Sequence, residues 1–223
     1  MHISDGVLDP ISLFVWYGVA ALFIAIGVIQ IRKRSKENPQ YLPMLALMGA
    51  AVLVISVWHI PVPVTGSSSH PCGTPMAAII VGPFPVVAIS AIALFFQTFV
   101  GHGGLTTIGA NDVSMGIVGT FTGLGTWIAL RKVGVRIFWA AGLAGFIGDV
   151  FTYATTAFQL AVSLHPEAVV RYWTIFVLGY IPTQLPLAII EFVFTGLVVS
   201  YIAQVRPEML RLRSTQTTPI AGD

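Results

Sequence analysis

Long uncharged runs alternate with short charged or Gly/Pro-rich breaks along the chain, and this pattern predicts membrane-spanning helices. A helix needs about 20 apolar residues to cross a hydrocarbon core of roughly 30 Å. The clearest runs cover residues 11–31, 44–60, 113–130, 137–163 and 186–204. The composition agrees, since 56% of the 223 residues are hydrophobic and only 9% are charged. The fold class is therefore an all-α polytopic membrane protein.

Prolines complicate two further apolar regions. Residues 73–101 carry no charge, but Gly82-Pro83-Phe84-Pro85 interrupts them, and we expect a short helix followed by a full span. Pro182 and Pro186 interrupt the stretch from residue 173 to residue 203. We expect residues 173–185 to form a re-entrant or interfacial lead-in to the last span.

The positive charges test this division into seven helices, because Lys and Arg favour cytoplasmic loops. With the amino terminus outside and the carboxyl terminus in the cytoplasm, ten cationic residues lie inside and only Arg171 lies outside. A single crossing by residues 73–101 would leave five inside and six outside. The ten are Arg32, Lys33, Arg34, Lys36, Arg131, Lys132, Arg136, Arg206, Arg211 and Arg213.

The predicted organisation is one transmembrane domain, residues 1–205, followed by a cytoplasmic tail, residues 206–223. The chain begins without the basic segment of a secretory signal, because Asp5 and Asp9 precede the first apolar run. We therefore expect Met1 to remain as the amino terminus of a protein of the cytoplasmic membrane. Nothing in the sequence indicates a nucleic-acid partner.

The first two residues, Met1 and His2, can form a metal chelate. The Met1 amine, the deprotonated His2 amide and His2 Nδ1 can occupy three corners of a plane, and one more imidazole would complete a square. Such nitrogen donor sets suit Ni(II), Cu(II) and, less strictly, Co(II). The seven-helix topology brings two other histidine-bearing loops to the same outer face, around His70 and His102. Because the helix after His70 is short, its loop must dip into the membrane to meet it.

Several separate stretches are similar to one family, the CbiM/NikM metal-binding membrane subunits of energy-coupling-factor importers for cobalt and nickel. They are MHISDGVL at residues 1–8, PVTGSSSHPCGTPMAAIIVGP at 63–83, GHGGLTTIGAN at 101–111, SMGIVG at 114–119, GDVFTYATTAFQLA at 148–161 and PTQLPLAIIE at 182–191. The resemblance covers nearly the whole chain. It implies a substrate-capture subunit whose ligands are the terminal amine, the His2 amide and imidazole, and His70.

The resemblance also implies partners and a cargo. The partners are a CbiQ/NikQ-like transmembrane coupling protein, two CbiO/NikO-like ATPases and often a small CbiN/NikN-like accessory subunit, all in the lipid bilayer or at its surface. The cargo is Co2+ or Ni2+, and no further cofactor is expected. The His70-Pro71 pair favours the cobalt branch, with nickel as the alternative.

Other residues near the predicted site have less defined roles. His102 is a candidate axial ligand, a partner that orients His70, or a loop-packing residue. Ser69, Cys72 and Asn111 are further candidates around the ion, and Cys72 stands where the family pattern has Thr. Asp112 either orients the preceding loop or serves as the N-cap of the next span.

Two carboxyl groups, Asp149 and Glu191, fall inside predicted spans, where an ionisable side chain needs a partner or a function. No Lys or Arg lies in those spans. We expect a polar network with Gln159 and Gln184, with ion relay as the alternative.

The chain lacks Walker and dinucleotide motifs and the His-Glu-x-x-His signature, so we expect neither ATPase nor metalloprotease activity. Uphill import would then draw its energy from the partners. The rival transport mechanism is a proton-coupled secondary transporter that uses Asp149 and Glu191, although no internal repeat supports it.

Overall fold

The computed structural model describes residues 2–62, 65 and 67–210, and seven α-helices form the bulk of that part of the chain. They are α1 (Pro10–Glu37), α2 (Tyr41–Val57), α3 (Thr74–Val81), α4 (Pro83–Thr98), α5 (Ile108–Lys132), α6 (Ile137–Leu164) and α7 (Val169–Val205). Among them, α1, α5, α6 and α7 are long and apolar enough to cross a membrane, and α2 and α4 are shorter apolar helices. The predicted polytopic all-α class is confirmed.

The start of α1 follows from its sequence. The Asp9 side chain accepts hydrogen bonds from the main-chain nitrogens of Ile11 and Ser12, and Pro10 occupies the first turn. Both features favour a helix start, because the first amides of a helix lack partners within it. Arg34 and Lys36 lie in the last turn, where cations interact favourably with the helix dipole.

His2 precedes the start of α1, whereas the end of α1 lies beside the end of α7, so His2 and the end of α7 lie at opposite ends of the bundle. Asn38 and Gln40, which follow α1, line one cavity together with Arg206 and Glu208, which follow α7. We call the end that carries His2, His70 and His102 the His face. The cationic residues at the ends of α1, α5 and α7 lie at the other end.

The predicted break between α3 and α4 falls at Gly82. Its φ of 91° is a left-handed conformation that favours glycine, and Pro83 begins the next helix. Every residue of α3 is buried, and Arg34 Nη1 and the Tyr41 hydroxyl donate to the Val81 carbonyl at its end. Because α3 starts deep in the bundle, the loop before it enters the protein interior.

The prediction for residues 173–185 is wrong. These residues belong to α7, which continues for 37 residues through Pro182 and Pro186. Each proline removes one amide donor, but the other amides still find their best acceptors within the helix, where no water competes. Packing of α7 against α6 also holds the helix together, for example where Trp173 Nε1 donates to the Ala154 carbonyl at 2.9 Å.

Two other predicted helix boundaries are also wrong. The second helix ends at Val57, and Ile60, which precedes Pro61, lies in a strand. The fifth helix begins at Ile108, so Asp112 is not an N-cap. Asp112 lies inside the helix at the start of a π-helical segment, Asp112–Gly119, and accepts a hydrogen bond from Ser90. The predicted tail mostly falls on residues 211–223, outside the described residues.

Candidate metal site

A small antiparallel sheet brings the amino-terminal segment against the loop that carries His70. The sheet comprises β1 (His2–Ile3), β2 (Ile60–Val62) and β3 (Ser67–Ser69), in the order β1-β3-β2. His2 pairs with Ser68, and Ile60 pairs with Ser69. Because β3 ends one residue before His70, this register holds His2 next to His70.

Within the part of the chain that the structure describes, three histidines form a buried cluster. His2, His70 and His102 each offer a ring nitrogen, and these atoms lie within 4.8 Å of one another. The ring centroids are 4.6 Å apart for His2 and His70, and 4.0 Å apart for His2 and His102. The exposed fraction of each side chain is 2% or less. The predicted convergence of the three loops is therefore present in the structure.

The surroundings of His70 fix both its position and its tautomer. The Tyr153 hydroxyl accepts from the His70 main-chain nitrogen at 2.7 Å and donates to the His70 carbonyl at 3.0 Å. The ring nitrogen Nδ1 donates to the Pro71 carbonyl at 2.8 Å. A neutral imidazole has one N–H and one lone pair, so Nε2 of His70 carries the lone pair. No described residue bonds to Nε2, so its lone pair is unused within the buried cluster.

His102 has one ring nitrogen in use. Its Nε2 lies 2.8 Å from Ser68 Oγ, while Nδ1 has no hydrogen-bond partner among residues 2–62, 65 and 67–210. The ring stacks on exposed His59 at a centroid distance of 4.2 Å. Burial lowers the pKa of His102 to about 2 and lowers the pKa of His2 well below its ordinary value. Both rings are therefore neutral at physiological pH, the state in which histidine binds metal ions.

The segment after His2 is bonded to the loop that carries His102. Asn111 Oδ1 accepts from the Ile3 nitrogen at 2.9 Å, and Thr107 Oγ1 donates to the Ile3 carbonyl at 2.6 Å. The Asp5 carboxylate accepts from the main-chain nitrogens of Thr106 at 2.8 Å and Leu105 at 3.2 Å. These bonds give Asn111 a defined contact, which is the main chain of Ile3 and not a histidine ring.

Gly103 packs directly on His2. Its φ is +82°, and a Cβ atom at this position would lie 2.9 Å from His2 Cδ2. Glycine thus allows the loop to cover the ring closely.

The two carboxyl groups predicted inside the membrane both contact the loop after His70. Glu191 accepts from the main-chain nitrogens of Cys72 and Gly73, each at 2.8 Å. Asp149 accepts from Cys72 Sγ at 3.2 Å and from Gln184 Nε2. Glu191 thus satisfies the main-chain amides where the buried loop enters α3, and Asp149 holds the Cys72 side chain.

The remaining predicted residues lie close to this network but contribute differently. Gln159 is not bonded to either carboxylate, and its Nε2 donates to the Ala110 carbonyl at 2.9 Å. Ser69 Oγ lies 2.9 Å from Thr183 Oγ1 on α7. Cys72 is fully buried beside Asp149 and is not a member of the histidine cluster. Met1 lies outside the described residues.

Sequence reasoning missed Ser68, Tyr153 and Thr107 as supports of the cluster. Ser68 stands in the Ser-Ser-Ser-His run, whose polar character in an apolar chain was a signal for buried hydrogen bonds. Tyr153 and Thr107 gave no such signal, because their partners are 83 and 104 residues away in the sequence.

Comparison with known proteins gives matches along nearly the whole chain. The family described as "CbiM: Cobalt uptake substrate-specific transmembrane region" matches residues 2–209. The protein named cobalt transport protein CbiM from Sorangium cellulosum is 40% identical over 225 residues, which cover 100% of both chains. The protein of that name from Thermosipho melanesiensis is 43% identical over 209 residues, covering 91% of this chain and 86% of that one.

A solved structure supports the fold independently. The crystal structure of a transition metal transporter superposes with a TM-score of 0.81 at 24% sequence identity, covering 92% of this chain and 93% of the other. A truncated transition metal transporter also gives a TM-score of 0.81, at 22% identity.

Proposed function

Because this chain belongs to the CbiM family of cobalt-uptake transmembrane regions, we propose that it is the capture subunit of an energy-coupling-factor importer that binds Co2+ at its His face. The family makes it a multi-pass membrane component of cobalt transport, which is consistent with the prediction that it is not an enzyme. The observation that carries the proposal is the buried cluster of His2, His70 and His102, whose ligand atoms lie within 4.8 Å of one another.

The proposed ligands are the Met1 amine, the His2 amide nitrogen, His2 Nδ1 and His70 Nε2. The Nδ1 bond from His70 to the Pro71 carbonyl supports this choice, since it leaves Nε2 as the bare nitrogen. Four nitrogens in a plane leave axial positions open, and His102 Nδ1 is a candidate for one of them. A nitrogen donor set also excludes Mg2+ and Ca2+, which prefer oxygen ligands.

Cobalt is the proposed cargo and nickel the alternative. Relatives named for cobalt transport support cobalt. Nickel differs in its stronger preference for a square plane, so an axial ligand from His102 would favour cobalt.

The proposed partners are a CbiQ-like coupling protein and CbiO-like ATPases, with a CbiN-like accessory subunit. The His face would lie outside, because the cationic ends of α1, α5 and α7 lie at the opposite end. Uptake that requires co-expressed ATPases would support this assignment. Uptake by the single chain in vesicles with only a proton gradient would overturn it.

The ligand set is tested with the purified chain loaded with Co(II) or Ni(II). We compare the wild type with His70→Ala, with a version carrying one extra residue before Met1, and with His165→Ala as a control at the same end of the bundle. We expect about one tightly bound ion in the wild type and in the control, and loss of binding in the other two. Full binding by the extended version would contradict the amino-terminal chelate.

A further inference from the structure

Gln97 lies buried in the last turn of α4, next to the histidine cluster. Its main-chain carbonyl accepts from the His102 nitrogen at 3.1 Å, and the His102 ring is 4.0 Å from the His2 ring between centroids. Its side chain has an exposed fraction of 0%. Neither a cluster of titratable residues nor a motif marks Gln97 in the sequence.

Ser56 fixes which way the Gln97 carboxamide points. The Ser56 hydroxyl donates to the Val52 carbonyl at 2.5 Å, which uses its only proton. Ser56 Oγ can therefore only accept from Gln97, and it does so from Nε2. The other end of the carboxamide, Oε1, is buried and has no partner among the described residues. As a carbonyl oxygen, Oε1 can only accept a hydrogen bond.

The His2 ring, which lies 4.0 Å from the His102 ring between centroids, offers a donor for Oε1. Both of its ring nitrogens are buried without a hydrogen-bond partner in the described part of the chain. Buried polar atoms are nearly always paired. Burial lowers the pKa of His2, and the Gln97 side chain opposes that shift, which is the direction expected of an acceptor near the ring.

The choice of nitrogen follows from the geometry of histidine. Nδ1 is the ring nitrogen nearer to its own main chain, and it alone can close a small chelate ring with the His2 amide. Nε2 is on the far side of the ring. If Nε2 holds the proton, Nδ1 carries the lone pair.

We infer that Gln97 is a positioning residue for the metal site: its Oε1 accepts the Nε2 proton of His2 and so presents Nδ1 of His2 to the ion. This inference rests on the proposed function. Ser56 acts one step further out, because it sets the orientation of the Gln97 carboxamide. Residues that orient a ligating imidazole in this way also raise its strength as a ligand.

The test measures Co(II) alone, bound to the purified full chain. Gln97→Leu removes the acceptor at similar volume, and Gln97→Glu restores an oxygen at the same place. We expect Gln97→Leu to weaken binding roughly 10- to 100-fold, the scale found for such outer-shell changes. We also expect a change in the visible absorption of bound Co(II), and a shift to higher pH of the midpoint at which half of the chain binds the ion. Gln97→Glu should reverse the changes in affinity, absorption and pH midpoint. Thr98→Val, on the same helix turn, is the control and should bind as the wild type does.

Two further variants separate the outcomes. His2→Ala tests the proposed function. Co(II) binding at wild-type strength in that variant would contradict the proposed function. Loss of binding in His2→Ala together with a wild-type affinity and spectrum in Gln97→Leu would overturn only the role of Gln97. If Gln97→Leu does not fold, Ser56→Ala replaces it, and we expect a smaller loss with the same change in spectrum. Lower thermal stability with an unchanged spectrum and pH midpoint would show that Gln97 only packs.

Discussion

The side chain of Asn111 pairs with the main chain of Ile3 as a neighbouring strand would. Its Oδ1 accepts from the Ile3 nitrogen at 2.9 Å, and its Nδ2 lies 3.3 Å from the Ile3 carbonyl, to which it donates. Ile3 has an exposed fraction of 0%, so neither main-chain group can turn to water instead. A helix side chain thus completes the edge of the sheet that holds His2.

Replacing Asn111 by Leu should release the amino-terminal segment. Both hydrogen bonds to Ile3 are lost, and each is worth roughly 0.5–1.5 kcal/mol. We expect faster hydrogen exchange in residues 2–9 and weaker Co(II) binding. Asn38→Ala, at the opposite end of the bundle, is the control. Unchanged exchange in Asn111→Leu would show that other contacts suffice to hold the segment.

Gly103 and Gly101 form a matched pair for testing the cover over His2. Both have positive φ, +82° and +73°, so alanine should cost about 1–2 kcal/mol of backbone strain at either position. Only at Gly103 would the new Cβ meet His2, whereas at Gly101 nothing lies within 4 Å. We therefore expect both variants to lose stability, and Gly103→Ala to lose more than Gly101→Ala, measured by thermal unfolding in detergent.

Metal binding should separate the same two variants. Gly103→Ala should lower Co(II) affinity roughly tenfold or more, since it displaces the ring of the proposed ligand His2, while Gly101→Ala should keep wild-type affinity. Equal affinities in the two variants would mean that the His2 ring is not held by this contact.

Glu191→Gln should destabilise the loop after His70. The carboxylate accepts two main-chain N–H groups, and an amide would turn its own N–H2 towards one of them. A buried donor without an acceptor costs roughly 1–3 kcal/mol. We expect a lower unfolding temperature and weaker Co(II) binding, with Glu208→Gln, exposed at the opposite end, as the control. A variant as stable as the wild type would show that the loop amides find other acceptors.

The buried histidines should make stability depend on pH below about 6.5, the ordinary pKa of histidine. Burial lowers the pKa of His102 to about 2 in the folded chain, so between those values the unfolded chain binds more protons than the folded one. The free energy of unfolding of the metal-free protein should therefore fall as the pH is lowered through 6.5, and should not change from this cause above it.

Thermal unfolding of the metal-free chain between pH 8 and pH 5 measures this dependence. His102→Gln should show a shallower decline than the wild type. Equal slopes would mean that His102 gains access to water in the metal-free state.

The breaks in the apolar pattern predicted most of the helices. They did not predict correctly which prolines end a helix. Gly82 with Pro83 ended a helix, as expected, because Gly82 adopts a positive φ. Pro182 and Pro186 did not end one, because both lie in a helix packed along α6. A proline removes one hydrogen-bond donor at any position. Whether the helix continues through it depends on packing against the neighbouring helices, which the local sequence does not show.

The site shows the same division between local and long-range information. His2, His70 and His102 could be proposed from their segments and from the alternation of the spans. The roles of Gln97, Tyr153 and Asn111 could not be proposed from the sequence. The role of an amide or hydroxyl group depends on which residue it hydrogen-bonds to, and those partners are distant in the sequence.

The sequence by itself determined that the chain is a helical membrane protein, since a bilayer requires long apolar segments with internally bonded backbones. It also determined that three histidine-bearing segments meet at one end. Only the tertiary structure decided which nitrogen of His70 is free, which carboxylate holds the loop after it, and which side chains hold His2. These choices depend on hydrogen bonds between residues as far apart as Ile3 and Asn111, and no local pattern in the chain specifies them.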